Sequence, residues 1–197
     1  MSTKARLFVI SGPSGSGKSS LIRDALSSLE GFEKSVSATT RSRRKGEREG
    51  KQYFFTNEEE FRQMIDRGLF LEWAGYAGDL YGTPEGFVRD RLEKGINVIL
   101  EIEVRGAMQV MEKTDDAFFI FILTTSPDEL RQRLENRGTD SLEEIEKRLS
   151  IAREELEHKK YYDCIIVNNN YNEALQNLIN VLQGESGRKQ NSEDTVF

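Results

Sequence analysis

The stretch Gly12-Pro13-Ser14-Gly15-Ser16-Gly17-Lys18-Ser19 decides the fold of this 197-residue chain. It matches the pattern G-x-x-x-x-G-K-[ST], the signature of a loop that wraps around phosphate groups. The apolar run Leu7-Phe8-Val9-Ile10 precedes the loop, and apolar residues recur at helical spacing from Lys18 to Leu29. A strand, a glycine loop and a helix in this order predict an α/β protein that binds a phosphorylated nucleotide.

Each residue type in this loop has a physical task. Glycines let backbone N–H groups converge on phosphate at the positive end of the helix. Lys18 would reach the β- and γ-phosphate oxygens, and the Ser19 hydroxyl would ligate Mg²⁺. The loop alone does not separate kinases from GTPases and ATPases. The residues expected to contact the nucleoside triphosphate are Gly12, Pro13, Ser14, Gly15, Ser16, Gly17, Lys18, Ser19 and Ser20.

Composition places the chain among compact globular proteins. Hydrophobic residues make up 37% and charged residues 31%, which is enough apolar surface for a core. No run approaches the roughly 18 apolar residues that span a bilayer, and we expect a cytoplasmic protein without a membrane partner. The only cysteine, Cys164, lies in an apolar run, which predicts a buried thiol in a reducing compartment.

The charge pattern favours a small anionic ligand over a nucleic-acid polymer. A net charge of -6 opposes binding along a polyanion, which depends on clustered Lys and Arg. One basic cluster stands out against this background, Arg41-Ser42-Arg43-Arg44-Lys45. It either binds a small anion or is a solvated loop.

Apolar runs further along the chain predict the organisation of the domain. Runs at 98–100, 118–123 and 165–167 are nearly continuous, as in parallel strands buried on both faces. Between Val36 and Arg89 such runs are replaced by short β-type segments around a helix, which indicates an insertion into the parallel sheet. Capping boxes at Asn57 and Ser141 predict two helix starts. The predicted division is a core at 1–35 and 90–183, an insertion at 36–89 and a disordered tail at 184–197.

Four further motifs identify a family. Ser35 to Arg44, Gly50 to Phe55, Leu71-Glu72-Trp73-Ala74 and Tyr81-Gly82-Thr83 resemble, in order and spacing, the guanylate kinase family. The resemblance extends from the loop to Gly138 and the helix after it. It implies a P-loop kinase core with a parallel sheet flanked by helices, an inserted GMP-binding α+β subdomain, and a mobile lid at 134–148. It also implies transfer of the γ-phosphoryl group of ATP to GMP, giving GDP and ADP, with Mg²⁺ bound to ATP.

The resemblance assigns an acceptor site for GMP. Arg41, Arg44, Tyr53 and Tyr81 would hold its phosphate, because guanidinium forks pair with phosphate and tyrosine hydroxyls add donors. Ordinary aromatic packing is the alternative for the two tyrosines.

The guanine base would be read by a carboxylate. Glu72 offers two acceptors to the adjacent N1–H and 2-amino donors of guanine, whereas adenine presents an acceptor at N1. Ser37, Thr83 and Glu103 would lie near the base.

The family pattern also implies a catalytic set of Lys18, Arg133, Arg137 and Arg148, in which the arginines would close over the triphosphate. Arg131 and Arg153 suit either this role or an exposed surface. Glu101 follows an apolar strand, where P-loop proteins place the acid that supports Mg²⁺. Many relatives have aspartate at 101 and 103, and the longer glutamate favours contact with the metal through water.

Two other functions stay open from the sequence. A guanylate-kinase-like interaction module without catalysis is disfavoured by Lys18, and a kinase for another mononucleotide is disfavoured by Glu72 together with Ser37. The expected partners are therefore ATP and GMP. A homo-oligomer is neither indicated nor excluded.

Overall fold

The computed structural model describes residues 5–76, 78–136, 138 and 141–185. Its strands, in chain order, are β1 (Leu7–Ser11), β2 (Phe32–Lys34), β3 (Ser37–Thr39), β4 (Tyr53–Phe55), β5 (Phe70–Tyr76), β6 (Asp79–Pro84), β7 (Asn97–Glu101), β8 (Ala117–Leu123) and β9 (Cys164–Val167). The helices are α1 (Lys18–Ser28), α2 (Glu58–Asp66), α3 (Glu85–Glu93), α4 (Val104–Lys113), α5 (Pro127–Asn136), α6 (Leu142–Glu157) and α7 (Tyr171–Glu185), with a 3-10 turn at His158–Tyr161.

A parallel sheet in the order β2-β7-β1-β8-β9 forms the centre of the molecule. Strand β1 lies in the middle, and its side chains are buried on both faces because they alternate. Leu7 and Val9 pack into one core cluster with α4, and Phe8 and Ile10 pack into another with α1 and α7. The prediction of a parallel α/β sheet flanked by helices is confirmed.

A second sheet has the order β4-β3-β6-β5. Strands β3 and β4 are parallel, and the other pairs are antiparallel. Its small core joins the sheet to α2, where the rings of Phe61 and Phe70 stack with centroids 4.5 Å apart. All four strands come from residues 37–84, within the predicted insertion.

Two predicted boundaries fall within helices. The boundary between 89 and 90 falls inside α3, which continues to Glu93. The predicted tail overlaps α7, because Gly184 and Glu185 are still helical. Helix α7 buries Leu182 near its end, and Arg6 bonds Glu185 through Nη1 and Oε2 at 2.7 Å, so the helix is held to its last turn. The remainder of the predicted tail, 186–197, lies outside the described residues.

Capping explains where α6 begins. The Ser141 side chain accepts from the Glu144 N–H, and the Glu144 side chain accepts from the Ser141 N–H, which is a complete capping box. The helix buries Ile145, Leu149 and Ala152 against α5. Among the described residues no helix has both the length and the apolar character needed to cross a membrane.

Candidate active site

The glycine loop lies between the end of β1 and the start of α1. Gly12 has a φ of 138°, and a Cβ there would stand 2.0 Å from the carbonyl oxygen of Ile122 in β8. No other residue fits this position without moving the sheet. The loop therefore depends on close packing against the central sheet as well as on its own glycines.

Lys18 and Ser19 project from the first turn of α1 toward the loop and the sheet edge. The Lys18 ammonium donates to the carbonyl oxygens of Gly12 and Pro13, the latter at 2.9 Å. The Ser19 hydroxyl donates to Glu101 Oε1 at the end of β7, and Lys34 pairs with Glu101 Oε2. Burial alone would raise the pKa of Glu101, but the Lys34 charge and these hydrogen bonds outweigh it and lower the pKa.

The Ser19 and Glu101 pair fits Mg²⁺. One hydroxyl and one ionised carboxylate are oxygen donors of the kind Mg²⁺ takes, alongside nucleotide phosphate and water. In residues 5–76, 78–136, 138 and 141–185, no three His, Cys, Asp or Glu side chains gather to hold a metal by themselves. A magnesium ion at this edge would therefore share its ligands with a nucleotide.

A buried hydroxyl also points to a ligand of the loop. Ser16 Oγ is fully buried and has no hydrogen-bond partner among the described residues. A buried hydroxyl without a partner is costly unless a ligand completes it. Phosphate oxygens, which accept hydrogen bonds, are suited to this position.

Two of the predicted arginines contact the loop. Arg133 in α5 donates to the carbonyl oxygen of Ser16 at 3.3 Å and to that of Asn168 at 2.6 Å. Arg148 in α6 donates to the Ser14 hydroxyl at 2.8 Å. The third, Arg137, lies outside the described residues. Arg131 instead pairs with Glu146 at 2.6 Å across α5 and α6, a structural contact that favours the alternative given for it.

The predicted phosphate-binding residues gather on the second sheet. The Arg41 guanidinium lies over the Tyr53 ring, with its Cζ 5.4 Å from the centroid, and the Tyr53 and Tyr81 rings are 5.9 Å apart. Arg41 Nη2 donates to Glu47 Oε1 at 2.7 Å. Arg44 contacts Glu47 through its backbone N–H, which donates to Glu47 Oε2 at 2.8 Å, whereas the Arg44 side chain is exposed. The pKa of Glu47 is lowered, chiefly by the hydrogen bond from the Arg41 side chain and to a smaller extent by the one from the Arg44 N–H.

Glu72 in β5 has the surroundings expected of a recognition residue. Its side chain is buried, with 6% exposed, and its Oε1 accepts from the Thr83 hydroxyl at 2.6 Å. Burial raises the pKa of Glu72, and the Thr83 bond opposes that shift only in part. Glu103, the exposed residue before α4, lies close enough to raise that pKa further. Ser37 begins β3 and is half-buried.

Sequence reasoning missed several charged residues of this region. Glu47 bonds Arg41 and Arg44, Lys34 bonds Glu101, and Glu155 of α6 lies near both Lys18 and Glu103. For Glu47 the signal was an acid close to a basic cluster. Glu155 gave no signal, because its neighbours come from α1 and the start of α4.

These features define a class of protein. A parallel sheet, a glycine loop against its central strand, a lysine and serine at the helix start, and an acid at the end of the neighbouring strand are those of a P-loop protein that binds a nucleoside triphosphate. The second sheet adds a separate group of arginine and tyrosine side chains together with a buried carboxylate.

Comparisons with known proteins make the assignment narrower. A family model described as guanylate kinase matches residues 4–185. The guanylate kinase of Rubrobacter xylanophilus is 47% identical over 180 residues, covering 91% of this chain and 94% of that protein. The guanylate kinase of Syntrophomonas wolfei is 46% identical over 185 residues, covering 94% and 95%. The crystal structure of guanylate kinase from Anaplasma phagocytophilum matches with a TM-score of 0.71 at 34% identity, covering 95% and 89%. The chain belongs to the guanylate kinase family.

Proposed function

We propose that this protein transfers the γ-phosphoryl group of ATP to GMP, giving ADP and GDP. The observation that carries the choice of acceptor is Glu72, a buried carboxylate with one oxygen held by Thr83. An ionised carboxylate accepts from both N1–H and the 2-amino group of guanine, and it repels the N1 acceptor of adenine.

The chemistry requires alignment and charge neutralisation. A phosphate oxygen of GMP is already ionised near neutral pH, so no general base is needed. Arg41, Arg44, Tyr53 and Tyr81 would hold the GMP phosphate, and Ser37 and Glu103 would complete the base site. The loop N–H groups and Lys18 would hold the ATP phosphates.

The lid arginines and a metal would neutralise the remaining charge. Arg133 and Arg148 contact the loop at Ser16 and Ser14, where they can meet the triphosphate. Arg137 is proposed with them on the family pattern. When bound, Mg²⁺ neutralises charge on the β- and γ-phosphate oxygens. Ser19 would hold it directly, and Glu101 would hold it through water.

We also propose the cytoplasm as the compartment and 36–89 and 134–148 as the GMP-binding and lid segments. A free thiol at Cys164, half-buried, suits a reducing compartment. The separate sheet within 37–84 and the helices on either side of residue 138 support the segment assignments.

The test is a coupled assay of ADP release with saturating ATP and Mg²⁺, comparing GMP with AMP, UMP and dTMP. We expect GMP to be the preferred acceptor. A preference for another nucleotide would overturn the choice of acceptor, and no turnover with any of them would favour the interaction module.

A P-loop variant ties the activity to this site. Lys18→Ala should lose about a hundredfold or more in turnover, since about 3 kcal/mol of charge stabilisation in the transition state is removed. Its circular dichroism spectrum should match that of the unaltered protein. Near-normal turnover by a folded Lys18→Ala protein would contradict the proposed role of the loop.

A further inference from the structure

The backbone of α4 lies directly against the carboxylate of Glu72, at Gly106. A Cβ built on Gly106 would stand 2.8 Å from Glu72 Oε2, 3.3 Å from its Cδ and 3.4 Å from its Cγ. Separations below 3.0 Å are essentially never seen for a real Cβ. The three nearest atoms all belong to Glu72, so the missing side chain at 106 leaves room for that carboxylate.

Glu72 cannot move aside freely to admit a Cβ. It is buried, and its other carboxylate oxygen accepts the Thr83 hydroxyl at 2.6 Å. A rotation that carried Oε2 away from α4 would also carry Oε1 away from Thr83. The position of the whole carboxylate is therefore coupled to the surface of α4.

Helix α4 and strand β5 are also held together by hydrogen bonds to the residues on either side of Glu72 along β5. The Gln109 side chain accepts the Trp73 N–H at 3.1 Å and donates to the Trp73 carbonyl oxygen at 2.9 Å, as a neighbouring strand would. Lys113 Nζ donates to the carbonyl oxygen of Phe70 at 2.7 Å. Separating α4 from β5 to relieve a clash would break these bonds.

We propose that Gly106 is a specificity-determining position, because its bare backbone sets where the Glu72 carboxylate meets the base. The inference rests on the proposed function, in which that carboxylate accepts both guanine donors. Two parallel hydrogen bonds require both oxygens in register with the base edge, and a displaced carboxylate loses at least one of them. Gly106 acts through Glu72 and is a positioning residue.

The test is the KM of Gly106→Ala for each substrate. We expect the KM for GMP to rise about tenfold or more, with kcat and the KM for ATP within about twofold of the unaltered protein. Alanine is the better helix former, so a general loss of helix stability is not expected. Gly86→Ala in α3 is the matched control, since a Cβ there meets nothing within 4 Å.

A double variant distinguishes displacement of Glu72 from a general packing defect. Glu72→Ala removes all three atoms that the Cβ would meet, so adding Gly106→Ala to it should not lower the melting temperature. If Gly106→Ala destabilises both backgrounds equally, the contact with Glu72 is not what the glycine serves and the inference is wrong. This measurement also decides the question if the single variant folds poorly.

The two proposals fail in different ways. If the unaltered protein does not use GMP, the proposed function falls and this inference falls with it. If the unaltered protein uses GMP and Gly106→Ala keeps the original KM for GMP, only the inference falls.

Discussion

Arg41 holds its own loop together and is also one of the residues proposed to bind the GMP phosphate. It bonds the backbone of Ser42 at 2.7 Å, pairs with Glu47 at 2.7 Å and lies over the Tyr53 ring. A guanidinium makes these contacts at once because it is planar and has donors on several sides. An ammonium has the same charge without that geometry.

We therefore predict that Arg41→Lys raises the KM for GMP about tenfold and leaves the KM for ATP nearly unchanged, because one of two parallel bonds to phosphate is lost. Arg43→Lys is the control, since Arg43 is exposed in the same basic cluster. Steady-state kinetics with each substrate varied in turn provide the measurement. Equal losses for both substrates would place Arg41 outside the acceptor site.

The Glu72→Gln variant tests the proposed recognition of guanine. Glu72→Gln should lower kcat/KM for GMP by about 2–4 kcal/mol, or about thirty- to a thousandfold, because one acceptor becomes a donor. The loss for AMP should be much smaller, since an amide can donate to N1 of adenine. The same loss for both nucleotides would make Glu72 a structural residue.

The stability of that variant should depend on pH in a defined direction. Burial raises the pKa of Glu72 in the folded protein. This group's contribution is therefore complete below the unfolded pKa of about 4.3 and is lost as pH rises through the higher folded pKa. Glutamine has no proton to lose. The melting temperature of Glu72→Gln minus that of the unaltered protein should increase from pH 4 to pH 7, and a constant difference would contradict the raised pKa.

At the scale of single elements, helix α6 connects capping to the site. It begins at a complete capping box and carries Arg148, which contacts the loop. Ser141→Ala should cost about 1 kcal/mol of stability. That corresponds to a fall in melting temperature of about 2–4 °C for a protein of this size. Ser141→Asp preserves a capping oxygen and should restore the melting temperature, whereas an equal fall in both variants would rule out capping as the cause.

Elements with strong local patterns were predictable from the sequence. Strand β1, the glycine loop and the start of α6 were predicted because a continuous apolar run, the loop motif and a capping box each consist of residues close together in the sequence. Strand β2 was missed, since Phe32-Glu33-Lys34 is short, lies at a sheet edge and has one apolar residue. The pairing of Lys34 with Glu101 was missed for a related reason, because it joins residues far apart in the chain that only the β2–β7 register brings together.

The candidate site was likewise predictable from the sequence only in part. Glu72 and Thr83 were expected near the base on the family pattern, but their 2.6 Å bond depends on the register of β5 against β6. The contact between Gly106 and Glu72 could not be predicted, because the reason for a glycine within a helix is apparent only when the side chain packed against it is known. The roles assigned to the site residues stay predictions.

At the scale of the molecule, the two sheets separate the proposed tasks. The loop, Ser19 and Glu101 belong to the parallel sheet and its helices, and Arg41 and Glu72 belong to the second sheet or its connections. Binding of GMP should therefore not require the metal that is proposed for turnover.

Removal of Mg²⁺ with EDTA should abolish turnover and preserve the stabilisation by GMP. At a GMP concentration of 100 times Kd, mass action adds about 2.7 kcal/mol. This corresponds to about 5–10 °C in melting temperature for a protein of this size. Thermal unfolding with and without GMP, in the presence of EDTA, measures it. Loss of the GMP shift on chelation would mean that the metal takes part in acceptor binding.

The ion pair between Arg6 and Glu185 suggests a circular permutation of the chain. It places Nη1 of Arg6, the residue before β1, 2.7 Å from Oε2 of Glu185, the last residue of α7. A Gly-Ser linker long enough to span these two side chains could thus join residue 5 to residue 185, and new termini could be opened at the exposed Gly95 turn between α3 and β7. Such a circular permutant would begin with β7 and would keep every strand neighbour of the parallel sheet.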